Sequence, residues 1–165
     1  VYGLHNWPGM PAGEFAVMPG PMMASFDIFE IVVTGRGTHA AMPHLGIDPI
    51  VAASALVQAL QTIASRTVSP VDAAVVSVTQ FHAGDTWNVI PAEATLRGTT
   101  RAFRPEVQEA IEAGIRRVTA GIDAVHGTSS SVRYERRYPP TINTPDEAER
   151  AARAMRTLVG DANVH

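Results

Sequence analysis

The chain has 165 residues and a mass of 17.6 kDa, is 45% hydrophobic and carries a formal charge of −3. That is room for one ordinary domain, or for a small domain with pieces of a second, and enough core to fold without staples. There is no cysteine and all 13 basic residues are arginine, which excludes a disulfide scaffold, a zinc finger, a thiol nucleophile, a lysine Schiff base and a P-loop.

Residues 1–25 are dense in Gly, Pro and Met and read as turns, with one short strand expected at Gly13–Met18. Phe26–Thr34 alternates as a strand, with Phe29, Ile31 and Val33 on one side and Ile28, Glu30 and Val32 on the other. A glycine-rich loop follows from Gly35 to Ile47. Asp48-Pro49 then supplies an N-cap acceptor and a first-turn proline, and Ala53, Leu56, Val57, Leu60 and Ile63 recur at helical spacing until Ser69-Pro70. The β-branched run 73–82 predicts a strand. A second strand region spans Asn88–Phe103, with Ala94, Leu96, Gly98, Thr100 and Ala102 facing a core and Thr95, Arg97, Thr99 and Arg101 facing water. Pro105 opens a helix that His126-Gly127 closes, and 131–138 alternates as a last strand. Thr144 and Glu147 are spaced as a capping box for a third helix.

The order from 26 to 137 is β-α-β-β-α-β. This is an α+β, ferredoxin-like arrangement: a four-stranded antiparallel sheet with both helices on one face. The expected division is 1–25 and 138–165 as flanking pieces of a neighbouring domain around a unit at 26–137. The chain begins inside what reads as structure, as a piece of something longer would.

Four residues stand out. His5, in a proline turn, is a surface loop histidine or one metal ligand lacking nearby partners. His39 shares a loop with His44 at a spacing that fits no helix face, and a loop histidine can donate a hydrogen bond to developing oxyanion charge. Asn88 reads equally as a turn residue. Arg101 lies on the wet sheet face, where a guanidinium is either solvated or set to pair with a carboxylate.

Five segments together resemble the M20 family of metal-dependent peptidases and amidohydrolases. They are GLHNWPGMPAG (3–13), PGPMMAS (19–25), FEIVVTGRGTHAAMPHLGIDPIVAAS (29–54), NVIPAEATLRGTTR (88–101) and YPPTIN (138–143). The closest branch holds hippurate hydrolases, N-acyl-amino-acid amidohydrolases and auxin-conjugate hydrolases. The resemblance implies an α/β catalytic domain with two divalent metal ions, zinc or manganese, into which a lid, or dimerisation, domain is inserted. It implies a homodimer through the lid and a small N-acyl amino acid or dipeptide as substrate. His5 then matches a metal ligand. His39 matches the lid histidine that reaches the opposite subunit's site and polarises the scissile carbonyl. Asn88 and Arg101 match groups that hold the substrate's carboxylate and a nearby oxygen. The family's Cys/His metal-binding segment, adjacent glutamates and last histidine ligand find no counterpart, so the chain alone is expected to be inactive.

The contrasting expectation is a free-standing dimerisation or small-ligand-binding module without chemistry. A nucleic-acid partner is excluded by the missing aromatic stacking pair and basic surplus. No apolar run nears the ~20 residues needed to span a bilayer. No signal-peptide pattern is visible, and a cytoplasmic protein is expected.

Overall fold

The computed structural model describes all residues, 1–165. The strands are β1 (Gly20–Met23), β2 (Phe26–Thr34), β3 (Thr38–His39), β4 (Ala74–Ala83), β5 (Val89–Ile90), β6 (Glu93–Ala102), β7 (Ser129–Tyr138) and β8 (Thr141–Asn143). The α-helices are α1 (Pro49–Thr62), α2 (Pro105–His126) and α3 (Pro145–Val159). The chain forms two compact units: Ala24–Pro140, and Val1–Met23 together with Thr141–His165.

In the unit 24–140, β4, β6, β2 and β7 lie in that order in one antiparallel sheet, the ferredoxin-like arrangement expected from the element order. Phe29, Ile31 and Val33 of β2 and Ala94 and Leu96 of β6 are buried with Leu56, Leu60 and Ile63 from the first helical stretch and Ile111 and Ile115 of α2. Burying such aliphatic side chains is worth roughly 1.5–3 kcal/mol each, so this face fixes the register of every strand. Gly98 is required beneath the core ring of Phe29: a Cβ there would meet the ring at 2.3 Å and the Ser77 carbonyl oxygen at 2.2 Å. The Asp48 carboxylate caps α1 by accepting from Ile50 N at 2.8 Å and Val51 N at 3.3 Å. The α-helix ends at Thr62, and a single wider turn, Ile63–Thr67, carries the chain on before Ser69-Pro70.

In the other unit, β1 and β8 form a two-stranded ladder with an irregularity at Pro21–Met23, where proline withholds a donor. The expected strand at Gly13–Met18 is corrected: Phe15 makes one bridge to Val164, and regular pairing begins at Gly20. The expected capping box of α3 is also absent, since Thr144 makes no side-chain cap. Glu147 instead accepts from the Tyr2 hydroxyl and, at 3.0 Å, from Arg150.

Candidate functional site

The loop that carries His39 is folded by close backbone approaches. Gly35 and Gly46 lie so near other backbone that a Cβ would stand 2.1 Å from the Ile47 carbonyl oxygen and 2.6 Å from the Arg36 carbonyl oxygen. Arg36 and Ile47 exchange both backbone hydrogen bonds, at 2.8 and 2.9 Å, closing the base of the loop. At its tip β3 pairs with β5, Thr38 opposite Ile90 and His39 opposite Val89. Ala40 N also donates to the Asn88 carbonyl at 2.9 Å. The structure thus brings His39 and Asn88, 49 positions apart, into one loop cluster at the Glu93 end of β6.

His39 is exposed, and its Nδ1 accepts the backbone N–H of Ala41 at 3.1 Å. That bond selects the tautomer with its proton on Nε2, a donor that makes no hydrogen bond within the chain. The Asn88 side-chain oxygen accepts from the Thr86 hydroxyl at 3.3 Å, which leaves its NH₂ without a protein partner. His44 lies in a short exposed turn (Pro43–Leu45) and joins no other titratable group.

Arg101 is at the opposite end of the same strand, one residue before β6 ends. At ~3.3 Å per residue, the length of β6 separates it from His39 and Asn88 by roughly 25–30 Å. Its guanidinium lies 4.4 Å from the centre of the Phe26 ring, and its Nη1 donates to the Tyr138 hydroxyl at 3.3 Å. No carboxylate neutralises it, unlike Arg97, which binds Glu30 at 2.6 Å on the same face. A cation backed by an aromatic ring, with Nε and Nη2 unused, is arranged to take a carboxylate in two-point fashion. Sequence reading missed Phe26 and Tyr138 as its partners. Only the pairing of Phe26 with Tyr138 across β2 and β7 brings them together, and no spacing in the sequence encodes that register.

His5 lies in the other unit. Its Nδ1 donates to the Asn6 carbonyl at 2.6 Å, which leaves the Nε2 lone pair free, the form a metal ligand takes. It stands alone, however. No three His, Asp or Glu side chains in the chain come together in a way that could hold a metal ion. These residues therefore do not make a metal site by themselves.

Residues 24–126 match the family model described as the peptidase dimerisation domain. N-acetylcysteine deacetylase of Bacillus subtilis is 40% identical over 165 residues, all of this chain and 43% of that protein. N-acyl-L-amino acid amidohydrolase of Geobacillus stearothermophilus is 41% identical over 143 residues, 87% of this chain and 39% of that protein. Among solved structures, a dinuclear metal-binding peptidase from Bacillus subtilis superposes with a TM-score of 0.70 at 36% identity, covering 93% of this chain and 37% of that one. The chain thus spans less than half the length of the relatives it matches.

Proposed function

The chain belongs to the M20 family of peptidases and amidohydrolases, whose dimerisation domain it contains, and from that premise we propose that it is the lid of a metal-dependent amidohydrolase acting on N-acyl amino acids across a homodimer. The observation that carries the reading is the split of the polar groups. His39 and Asn88 sit at one end of the sheet, and an unneutralised Arg101 sits at the other.

An N-acyl amino acid spans only a few ångströms from its scissile carbonyl to its carboxylate. One protomer therefore cannot serve both ends of it with these groups. In a two-fold dimer, His39 and Asn88 of one lid serve the substrate whose carboxylate Arg101 of the other lid holds. His39 Nε2–H donates to the carbonyl oxygen as negative charge gathers there, and the Asn88 NH₂ is a second donor for a neighbouring oxygen. Arg101 holds a carboxylate that is charged throughout, so it contributes to binding more than to the barrier. The two divalent ions and the proton-shuttling glutamate of such an enzyme belong to residues beyond these 165, to which His5 adds one imidazole.

Two features support a second copy of this chain as the partner. β4 is an edge strand that exposes Val75 and Phe81, and it carries no Asp, Glu or Arg. Beside it, α1 is also without charge and exposes Val51, Ser54, Gln58 and Gln61. The opposite edge, β7, bears Arg133, Glu135, Arg136 and Arg137. Charged edges resist pairing with another sheet, and uncharged ones invite it.

Mixed dimers of the full-length protein test the reading. Subunits bearing His39→Ala are combined with subunits bearing Arg101→Ala. If the groups act across the two-fold, one site of each mixed dimer carries both defects and the other carries neither. With substrate held well below KM, where both the turnover defect and the binding defect lower the rate, activity should then rise, on mixing, to about half that of the wild type per mixed dimer. Mixtures no more active than the two parent variants would overturn it.

A further inference from the structure

Asp27 is fully buried, and no arginine or histidine pairs with it. The Gln108 side-chain amide donates to both its oxygens, at 2.9 and 2.8 Å, and the Tyr134 hydroxyl donates to Oδ2 at 2.6 Å. Because the Tyr134 proton is committed to Asp27, the Thr100 hydroxyl donates in turn to the Tyr134 oxygen at 2.7 Å. The four side chains tie β2, β6, β7 and α2 together. A buried carboxylate carries a large desolvation penalty, and apolar residues of similar volume would fill the space at less cost.

The place of this network suggests what it does. Side chains alternate along a strand, so each buried member has a neighbour on the open face. Phe26 stands beside Asp27, and Arg101 stands beside Thr100. Between β2 and β7 the register slips at this point: Asp27 lies opposite Arg136, and Phe26 lies opposite Tyr138, leaving Arg137 as an extra residue. Strict alternation would put Tyr138 on the helix side with Tyr134 and with Arg136, which reaches Glu112 of α2 at 3.4 Å. The bulge turns Tyr138 onto the open face instead, its ring 5.4 Å from that of Phe26 and its hydroxyl on Arg101.

We propose that Asp27 is a positioning residue for the substrate-carboxylate clamp. Through Tyr134 it fixes β7 against β2 just before the bulge, and so holds Phe26 and Tyr138 where they aim the Arg101 guanidinium. The inference rests on the reading of Arg101 as the group that binds the substrate carboxylate. A network that served stability alone would instead affect every substrate equally.

The test compares an N-acyl amino acid with its carboxamide, which has no charge for Arg101, in steady-state kinetics on the full-length protein. Asp27→Asn and Tyr134→Phe are each expected to raise KM for the free acid about five- to tenfold, the worth of one misaligned charge-assisted hydrogen bond. Turnover number is expected to stay within about twofold, and the kinetics of the amide to be unchanged. Tyr134→Phe removes one hydroxyl and decides the matter if Asp27→Asn fails to fold. Equal losses on acid and amide, or an unchanged preference for the acid, would overturn the proposal. Arg101→Ala is the control. If it leaves the preference for the acid intact, the reading of Arg101 is wrong and the proposal falls with it. If it abolishes that preference while the Asp27 and Tyr134 variants do not, only the proposal falls.

Discussion

His39 Nδ1 accepts the Ala41 backbone N–H at 3.1 Å, so the ring proton is on Nε2, the nitrogen that remains free to meet a substrate. The ring is therefore a hydrogen-bond donor without needing to be protonated. The same loop is closed at its base by Arg36 and Ile47 and tied at its tip to Asn88. A donor held by its own backbone in this way loses little freedom when charge develops in front of it.

In the full-length protein, His39→Ala is expected to lower turnover about a hundred- to a thousandfold with little change in KM, the loss of one oxyanion donor being worth ~3–4 kcal/mol. Arg101→Ala is expected to do the reverse, raising KM for the free acid and sparing the amide. Steady-state kinetics on folded dimers check both. Values within about twofold of wild type for the two variants would mean that both side chains are merely solvated.

The chain of 165 residues by itself is expected to show no amidase activity, because no cluster of metal-binding side chains forms within it. The check is hydrolysis of benzoyl-glycine with zinc or manganese added. Turnover that survives repurification and disappears with a chelator would contradict the expectation.

Much of the fold was legible because single segments encode it. The alternation of Phe29, Ile31 and Val33 gave β2 its core face, and Asp48-Pro49 and Pro105 marked the two helix starts. What stayed hidden depends on pairing between distant segments. The two-residue strands β3 and β5 have no periodicity, and they exist because Thr38 meets Ile90 and His39 meets Val89. Asp27 falls on the buried face by the same alternation as Phe29, but its partners Gln108 and Tyr134 lie 81 and 107 positions away, and nothing in the sequence links them to it. The Arg101 clamp depends on a bulge in β7 that no turn residue signals. The residues of Gly13–Met18 favour extended structure, and Phe15 and Val17 do bond to Asn163 and His165, but this pairing amounts to one isolated bridge and not a strand.

The buried network also predicts a pH effect. Burial first, and then the Asp27 carboxylate, push the Tyr134 phenol well above the ordinary tyrosine range. In the unfolded chain this phenol ionises near pH 10, so the folded state binds its proton more tightly. Its contribution to stability is complete below about pH 10 and is lost as pH rises above that value towards the folded one. Denaturant unfolding of the 165-residue chain between pH 8 and 11 should show this fall, and Tyr134→Phe should flatten it. Identical slopes for the two proteins would show that Tyr134 is not the group responsible.

The last prediction concerns the uncharged edge proposed above as the contact between two copies. Phe81 and Val75 on β4 and Val51 on α1 are exposed on elements that carry no charged side chain. Isologous pairing of β4 with its symmetry mate would join two four-stranded sheets into one and bring the two α1 helices side by side. A charge placed there meets its own copy across the two-fold, so repulsion and desolvation add. Phe81→Glu and Val51→Glu are each expected to shift the full-length protein towards monomer, while Arg137→Glu on β7 is not. Sedimentation velocity at a few micromolar protein checks this. The circular dichroism spectrum should remain that of the wild type, because both substituted side chains are exposed within the protomer and contribute little to its core. Monomers should also lose activity, since His39 would no longer reach the site that holds the substrate's carboxylate. A dimer unaffected by both β4 and α1 charges, but broken by the charge reversal at Arg137, would assign the interface to β7 instead.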